Sequence, residues 1–412
     1  MQYGLIGEHL GHSYSCRIHA AIADYPYALC ELPPDKLESF FRARDFRGVN
    51  VTIPYKQRVI PLLDRISESA ARIGAVNTVV NRGGLLYGYN TDFDGMVALL
   101  RHAGIPVAAK KALILGTGGT SNTAAAVLEH LGASSVLRVS RSGRNGAIRY
   151  EQAMHRHADA QLIVNTTPAG MFPNETQTPV DLSAFPALEG VLDAVYHPLR
   201  TNLVLDAQAR GIPAAGGLYM LAAQAVYASA FFQDQPPEPA LIDRAYRTVQ
   251  QAEQNLVLIG MPSSGKTTVG RLLAARTGRP FLDTDEQFVS KTGIPIPDYF
   301  AAHGEAAFRR VEREVIAEAA RARGSIIATG GGAVLCAENV RALARTGVLI
   351  FLDRAPERLC PTADRPLAAS REALAQLYAQ RYPLYRAAAD LRTDANAAPE
   401  QTADAIIKEL SL

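Results

Sequence analysis

Residues 260–267, GMPSSGKT, have the spacing of a loop that binds nucleotide phosphates. In such a loop the backbone N–H groups surround the phosphates, a lysine reaches the β- and γ-phosphate oxygens, and a threonine hydroxyl binds Mg²⁺. The strand-like NLVLIG precedes the loop and a helix-like stretch follows, which is the context that the motif requires. We therefore predict an ATP site formed by Gly260, Pro262, Ser263, Ser264, Gly265, Lys266, Thr267 and Thr268, in which Lys266 is catalytic and Thr267 is also a metal ligand.

A second glycine-rich turn of different design lies earlier, in ALILGTGGTSNTAAAVLEHLG. Gly116 permits a tight turn after a strand, Gly118 lets a pyrophosphate approach the backbone, and Ser121 is the small residue where helix meets strand. The N-terminus of the following helix then faces the phosphates. The pattern predicts a dinucleotide site at Gly116, Gly118, Gly119, Thr120 and Ser121, although the same turn could be only a tight connection.

The loop after the next strand, SRSGR, indicates which dinucleotide binds. An NAD site usually has an acidic residue here for the ribose hydroxyls, whereas arginines suit the 2′-phosphate of NADP. Arg141 and Arg144, with Ser140 and Ser142, therefore favour NADP; the alternative is a solvated basic loop.

Composition limits the remaining possibilities. The 412 residues are 48% hydrophobic, enough for two domains, and the net charge of +2 gives no general attraction to nucleic acid or to an anionic membrane. The four cysteines form no CxxC pair and the N-terminus has no pattern of a signal peptide, so we expect a cytoplasmic protein. The uncharged stretch 211–233 is only mildly apolar, and we predict a buried helix there rather than a membrane span.

Short β-branched runs alternate with alanine-rich stretches of helical period, which predicts an α/β fold with largely parallel sheets. The proline-rich segment QDQPPEPA, residues 233–240, is the clearest break. One more helical stretch follows it, so we place the domain boundary near residue 252, giving domains 1–252 and 253–412.

Polar motifs in the first domain together resemble shikimate dehydrogenase over about residues 3–250. The motifs are LGHSYSCRIH (10–19), GVNVTIPYK (48–56), GAVNTVVNRGGLLYGYNTDFDG (74–95), LIVNTTPAGM (162–171), VLDAVYHPLRT (191–201) and GGLYMLAAQA (216–225). The resemblance implies a substrate lobe at 1–100, a Rossmann NADP lobe at 101–215 and closing helices at 216–252.

The same resemblance assigns site residues. Lys56 and Asp92 would be the catalytic pair, since ketone reduction leaves negative charge on an oxygen that a nearby ammonium group stabilises or protonates. Ser13 and Ser15 would hold the substrate carboxylate. The hydroxylated ring would be lined by Thr52, Asn77, Tyr196 and Gln224, and the nicotinamide would lie beside Gly217 and Met220.

The second domain resembles shikimate kinase across about residues 254–412, through FLDTDE (281–286), GEAAFRRVE (304–312), TGGG (329–332), DRPL (364–367) and QRYPLY (380–385). Asp283 would lie near Mg²⁺, and Asp285 would bind the substrate hydroxyls and accept a proton. Arg365 would contact the transferred phosphate and Arg358 the ATP base. The substrate carboxylate would be bound by Arg309, Gly331 and Arg381.

The predicted fold class is α/β: a two-lobed dehydrogenase with a Rossmann NADP lobe, then a P-loop, NMP-kinase-like parallel α/β domain. The resemblances imply NADPH-dependent reduction of 3-dehydroshikimate to shikimate, followed by ATP-dependent phosphorylation to shikimate 3-phosphate. The segment DRAPERLCPTADRP is shorter than is usual in the kinase family, so a silent or regulatory kinase fold is the alternative. A kinase for another small hydroxylated acid and a dehydrogenase that prefers quinate also stay open.

Overall fold

The computed structural model describes residues 1–11, 13–360 and 370–412. They form two compact units, Met1–Gln250 and Gln251–Leu412. Both are α/β, which confirms the predicted fold class. The sequence-based boundary after residue 252 and the division between Gln250 and Gln251 both fall near the end of one helix, Ala240–Glu253.

The first unit begins with a mixed sheet. Its strands are β1 (Tyr3–Gly7), β2 (Tyr27–Glu31), β3 (Gly48–Val51), β4 (Arg65–Ile66), β5 (Thr78–Arg82) and β6 (Leu85–Tyr89). They pair in the order β2-β1-β3-β5-β6-β4, and β5 runs antiparallel to β3 and β6. The helices of this region are α1 (Ser15–Ile22), α2 (Leu37–Ala43), α3 (Glu68–Ile73) and α4 (Thr91–His102).

A parallel sheet follows in the same unit. Its strands are β7 (Lys111–Leu115), β8 (Ser135–Val139), β9 (Leu162–Asn165), β10 (Gly190–Asp193) and β11 (Ala214–Ala215), in the order β11-β10-β9-β7-β8. The helices are α5 (Gly119–His130), α6 (Tyr150–Arg156), α7 (Asn202–Ala209), α8 (Leu218–Gln233) and α9 (Ala240–Glu253). Apolar clusters cover both faces, as a parallel sheet requires.

Close packing of α4 against α8 joins the two sheets of the first unit. A Cβ added at Gly95 in α4 would lie 2.8 Å from the carbonyl oxygen of Met220 and 3.1 Å from Cβ of Gln224 in α8. Only glycine permits this approach, because the neighbouring atom is a backbone oxygen. The contact therefore brings the start of α4 beside α8.

The second unit is built on another parallel sheet. Its strands are β12 (Asn255–Ile259), β13 (Phe281–Asp283), β14 (Ile326–Ala328), β15 (Gly347–Asp353) and β16 (Leu391–Asp394), in the order β13-β14-β12-β15-β16. The helices are α10 (Lys266–Thr277), α11 (Thr284–Thr292), α12 (Ile296–Ala319), α13 (Ala337–Thr346), α14 (Arg371–Ala388) and α15 (Pro399–Leu410). Gly304 kinks α12 with a φ of 77°.

Of the uncharged stretch 211–233, residues Leu218–Gln233 form the buried helix α8, whose side chains pack against α1 and α9, whereas the part before Leu218 contains the short strand β11. Among the described residues, no helix is both long and apolar enough to cross a membrane.

Candidate active sites

A lysine–carboxylate pair lies in the first unit. Lys56 follows β3, and Asp92 lies in the first turn of α4. The Nζ atom of Lys56 donates to Oδ2 of Asp92 at 2.5 Å, and the two side chains are 20% and 10% exposed. The charged pair is thus largely removed from water but still reachable from the surface, as an acid–base pair must be.

Asn77 fixes the helix that carries Asp92. Its side-chain oxygen accepts from the backbone N–H of Thr91 at 2.7 Å, and its amide group donates to Oγ1 of Thr91 at 3.1 Å. The backbone of Lys56 is held next to it, because the N–H of Val76 donates to the carbonyl of Lys56 at 2.8 Å. Lys56, Asn77 and Asp92 are therefore brought together.

Ser13 and Ser15 lie after β1, at the same sheet edge as Thr52. The Oγ of Ser13 donates to Oγ of Ser15 at 3.1 Å and accepts from the N–H of Ser15 at 3.2 Å. Thr52 follows β3, the strand paired with β1, and its N–H donates to the carbonyl of Ile6 at 3.0 Å. This edge therefore holds three hydroxyl side chains.

Tyr196 lies in the segment after β10, and Gln224 lies in α8, the helix packed against α4. The ring of Tyr196 lies 5.6 Å from that of Tyr14, which is between the two serines, and burial raises the pKa of Tyr196. Gln224 is buried, and its amide group donates to the carbonyl of Leu221 at 2.9 Å. Met220 is buried on the same helix, and Gly217 begins it against Ala194.

The glycine turn after β7 has room for a phosphate group. Gly116 has a φ of 116°, and its carbonyl accepts from the buried hydroxyl of Ser121 at 2.8 Å. Cβ atoms added at Gly118 or Gly119 would meet nothing within 4 Å. The space around the two glycines at the start of α5 is therefore open, as the approach of a dinucleotide pyrophosphate to a helix N-terminus requires.

The basic loop starts beside that turn. The N–H of Gly116 donates to the carbonyl of Val139, the last residue of β8, at 2.8 Å. Ser140 then closes a turn by accepting from the N–H of Gly143 at 3.1 Å, and Ser142 accepts from the N–H of Arg144. Arg141 and Arg144 are exposed beyond it, so their guanidinium groups are free to meet a ribose phosphate.

A buried carboxylate that the motif analysis did not single out links the ends of β9 and β10. Asp193 accepts from Asn165 Nδ2 at 2.9 Å, from the N–H of Val195 at 3.0 Å and from Thr201 Oγ1 at 2.6 Å. Burial raises the pKa of Asp193 to about 6 despite these three donors. The network fixes the backbone just before Tyr196, and its only sequence signal was the pair of polar residues closing two apolar strands.

The loop after β12 in the second unit is shaped as a phosphate loop. Gly260, Ser263 and Gly265 have positive φ angles of 148°, 63° and 95°. Lys266 Nζ donates to the carbonyls of Gly260 at 2.9 Å and Met261 at 2.8 Å. The hydroxyl of Ser264 is buried without a hydrogen-bond partner, so it is available to form a hydrogen bond with a ligand.

The donors for a magnesium ion lie at the start of α10. Thr267 Oγ1 donates to Oδ2 of Asp283 at 2.8 Å, and Oδ1 of Asp283 accepts from the N–H of Asp285 at 2.9 Å. A hydroxyl and a carboxylate oxygen next to a phosphate loop fit Mg²⁺, which prefers oxygen ligands and retains several waters. Thr268 follows on the same helix.

A cavity of about 560 Å³ lies beside the phosphate loop. Three consecutive glycines, Gly330–Gly332, line it, and each lies close to a different side chain. A Cβ at Gly330 would lie 2.7 Å from Oδ1 of Asp285, and one at Gly331 would lie 2.9 Å from Cδ of Pro262. At Gly332 it would clash with the guanidinium of Arg309. The glycine turn thus brings the phosphate loop, Asp285 and Arg309 to one cavity.

The arginines of this cavity are held in place. Arg309 Nη1 donates to Oε2 of Glu312 at 2.8 Å, and Arg381 Nη1 donates to the carbonyl of Gly331 at 3.0 Å. Burial raises the pKa of Glu312, while the charge of Arg309 opposes this shift. Both guanidinium groups line the cavity, and together they can bind a carboxylate.

Arg358, predicted to contact the ATP base, does not line this cavity. Arg358 is exposed and donates to the carbonyl of Asn396, which joins the segment after β15 to the loop after β16. Arg365 lies outside the described residues.

Comparisons with known families divide the chain in the same way. The family profile described as shikimate dehydrogenase substrate binding domain matches residues 5–79, and that described as shikimate kinase matches residues 262–411. The shikimate dehydrogenase (NADP(+)) of Symbiobacterium thermophilum is 38% identical over 252 residues, which are 54% of this chain and 85% of that protein.

Solved structures resemble the first unit. Shikimate 5-dehydrogenase from Thermus thermophilus, in complex with NADP(H) and shikimate, matches with a TM-score of 0.55 and 32% identity, over 60% of this chain and 98% of that chain. A chorismate mutase/shikimate 5-dehydrogenase fusion protein from Clostridium acetobutylicum matches with a TM-score of 0.58 and 32% identity, over 60% of this chain and 97% of that chain.

Proposed function

The chain belongs to the shikimate dehydrogenase family and carries a shikimate kinase domain, and on that premise we propose that it catalyses two consecutive reactions of the shikimate pathway. The first unit reduces 3-dehydroshikimate to shikimate. The second phosphorylates shikimate to shikimate 3-phosphate. NADPH supplies the reducing equivalent and MgATP the phosphoryl group when they are bound.

In the dehydrogenase reaction Lys56 acts on the oxygen of the substrate ketone. Its ammonium group donates a hydrogen bond to this oxygen and stabilises the negative charge that develops there. Asp92 orients the ammonium through the 2.5 Å contact and binds a neighbouring hydroxyl. Ser13 and Ser15 hold the substrate carboxylate, while Thr52, Asn77, Tyr196 and Gln224 position the ring.

The cofactor of this reaction is held by the glycine turn and the basic loop. Backbone N–H groups of Gly118, Gly119 and Thr120 bind the pyrophosphate beside Ser121, and Arg141 and Arg144 bind the 2′-phosphate. Asp193 keeps the backbone before Tyr196 in position through its three hydrogen bonds. A buried network of this kind restrains the residue that it precedes.

In the kinase reaction Asp285 binds the shikimate hydroxyl and accepts its proton. Arg309 and Arg381 bind the shikimate carboxylate, and both line the cavity with Asp285. Lys266 contacts the nucleotide phosphates, and Thr267 and Asp283 hold Mg²⁺. Phosphoryl transfer needs mainly such positioning and cations, because the protein contributes little covalent chemistry.

One observation favours two catalysed reactions rather than a dehydrogenase joined to a silent kinase fold. The glycine turn 330–332 packs directly against Asp285, Pro262 and Arg309, so the proton acceptor, the phosphate loop and a carboxylate-binding cation border one cavity. A fold that only senses nucleotide has no need of that convergence.

Product analysis with the purified chain tests the proposal. With 3-dehydroshikimate and NADPH alone, the product should be shikimate; with MgATP added, it should be shikimate 3-phosphate. The Asp285→Asn variant should accumulate shikimate, and the Asp92→Asn variant should phosphorylate only added shikimate. Accumulation of shikimate by the unaltered chain with both cofactors would overturn the kinase half, and faster turnover of quinate than of shikimate would change the substrate assignment.

We also propose a cytoplasmic location without nucleic-acid or membrane partners. The four cysteines are unpaired thiols in the structure, which suits a reducing compartment. Fractionation of cells that produce the chain would test it.

A further inference from the structure

Arg354 projects toward the phosphate loop from the end of β15. Ile350 and Leu352 belong to the cluster that packs against α10, whereas Asp353, on the other face, accepts from Arg392 Nε at 2.7 Å. Side chains alternate along a strand, so Arg354 follows Ile350 and Leu352 toward α10. A Cβ at Gly265, the residue that precedes α10, would indeed lie 3.9 Å from Nη1 of Arg354.

The guanidinium of Arg354 has no anion in this position. Its Nε is buried and has no hydrogen-bond partner, and within residues 1–11, 13–360 and 370–412 no carboxylate forms an ion pair with it. It lies near Gly265, the residue that precedes α10, where the positive end of the helix dipole is. A guanidinium group with a buried, unbonded Nε at a positive helix end is suited to meet an anion.

Arg354 is not among the residues that line the proposed shikimate cavity. That cavity is lined by Asp283, Asp285 and Gly330–Gly332 from the β13–β14 side and by Arg381 from α14, whereas Arg354 follows β15, on the opposite side of β12 from β13 and β14. Arg358 lies further along the same segment and is already bonded to the carbonyl of Asn396. The anion that Arg354 meets is therefore one that lies on the loop itself.

We propose that Arg354 binds the phosphate chain of the nucleotide, as a second side-chain cation beside Lys266. This inference rests on the proposed kinase function and deepens it. Gly265 is followed directly by Lys266 and Thr267, the residues proposed to contact phosphate and Mg²⁺, so a guanidinium near Gly265 can reach phosphate oxygens. Binding gives the buried Nε an acceptor and forms charge-assisted hydrogen bonds with the phosphate.

The test is direct binding of ADP and of inorganic tripolyphosphate to the full chain by titration calorimetry. Arg354→Met should bind both about 10- to 100-fold more weakly than the unaltered chain, the range for loss of a charged hydrogen bond. Arg354→Lys should recover part of the affinity. The matched control is Arg313→Met, which removes an exposed arginine from α12 and should bind ADP unchanged.

Three results would overturn the inference. Binding of ADP by Arg354→Met within twofold of the unaltered chain would show that Arg354 does not contact the nucleotide. A loss of affinity for ADP without a loss for tripolyphosphate would place Arg354 on the base or ribose instead. Equal weakening by Arg354→Lys and Arg354→Met, with a lowered melting temperature in both, would make its role structural. Failure of the kinase proposal is seen separately, as absence of shikimate-dependent ADP release by the unaltered chain.

Discussion

The two proposed catalytic lysines are held in different ways. In the first unit Lys56 is paired with the carboxylate of Asp92, a group that is itself proposed to touch the substrate. In the second unit Lys266 donates to two carbonyls of its own loop, Gly260 and Met261. The first cation is therefore already in its working pair, whereas the second must exchange its acceptors for phosphate oxygens.

The arginines of the second unit repeat that pattern. Arg309 is paired with Glu312, and Arg381 donates to the carbonyl of Gly331, so each must share or give up a partner when a carboxylate binds. The comparison teaches that the dehydrogenase site is organised by the fold itself. In the kinase site the cationic side chains are bonded to acceptors of the protein itself, and they reach their final positions only when ligands bind.

Lys56→Met should have the largest effect, because it removes the group that stabilises charge in an organised site. We expect the rate of NADP-linked shikimate oxidation to fall about 10²–10⁴-fold, the range for a positioned acid–base group. Steady-state kinetics measure it, and shikimate-dependent ADP release by the same variant is the internal control. A fall of less than tenfold would show that Lys56 is not the acid–base residue.

Lys266→Met should reduce the kinase reaction by about 10²–10³-fold, as for loss of one preorganised cation or donor. The loop should largely keep its shape, because the lysine donates to two carbonyls of the loop itself, those of Gly260 and Met261. Coupled measurement of ADP release reports the rate, and dehydrogenase activity should not change. Full kinase activity in this variant would remove Lys266 from the site.

Gly95→Ala tests whether the first unit's site depends on the packing of α4 against α8, because it disturbs that packing. The new methyl group would meet the backbone oxygen of Met220, which cannot move without shifting α8. We expect a loss of about 1–3 kcal/mol in unfolding free energy, typical of overpacking, together with reduced dehydrogenase activity. Urea unfolding followed by loss of that activity measures the change.

Gly332→Ala is the matched variant in the second unit. Its methyl group would meet the guanidinium end of Arg309, a flexible side chain that can move aside. The KM for shikimate should therefore rise while stability changes little. Similar losses of stability in both glycine variants would contradict the view that the two sites are organised differently.

The smallest effect concerns acid stability of the first unit. His19 is fully buried, its ring stacks on Tyr27 at 3.8 Å, and burial lowers its pKa to about 3. Its stabilising contribution is complete above the unfolded value near 6.5 and is lost as the pH falls toward 3, by at most about 1.4 kcal/mol per pH unit, since only the unfolded chain takes up the proton.

His19→Gln should therefore flatten the decline of the first unit's stability between pH 7 and pH 5. Urea midpoints for loss of dehydrogenase activity in the variant and the unaltered chain give the comparison. Parallel declines would show that other groups control the acid sensitivity.

Local sequence predicted the parts that depend on neighbouring residues. The α/β class, the two glycine turns and the strand–loop–helix around Lys266 follow from short patterns, since loop shape is set by glycine positions and flanking elements. The site residues themselves remain proposals, but Lys56 and Asp92, 36 positions apart, do meet in the structure.

Contacts between distant segments could not be predicted in this way. Nothing around Gly95 signals that its hydrogen faces the backbone of α8, and nothing around Asp193 signals donors from Asn165 and Thr201. Arg354 reads as one more arginine in a polar segment, and only the pairing of β15 with β12 brings it to the phosphate loop. Such features arise from tertiary packing, which a local pattern does not encode.

The most direct test of the central claim is ADP release by the purified chain with saturating MgATP, with and without shikimate. The account predicts ADP release that depends on shikimate and matches the shikimate 3-phosphate formed, from a chain that also reduces NADP⁺ with shikimate. NADP⁺ reduction without shikimate-dependent ADP release would contradict it and would leave a dehydrogenase joined to a silent kinase fold.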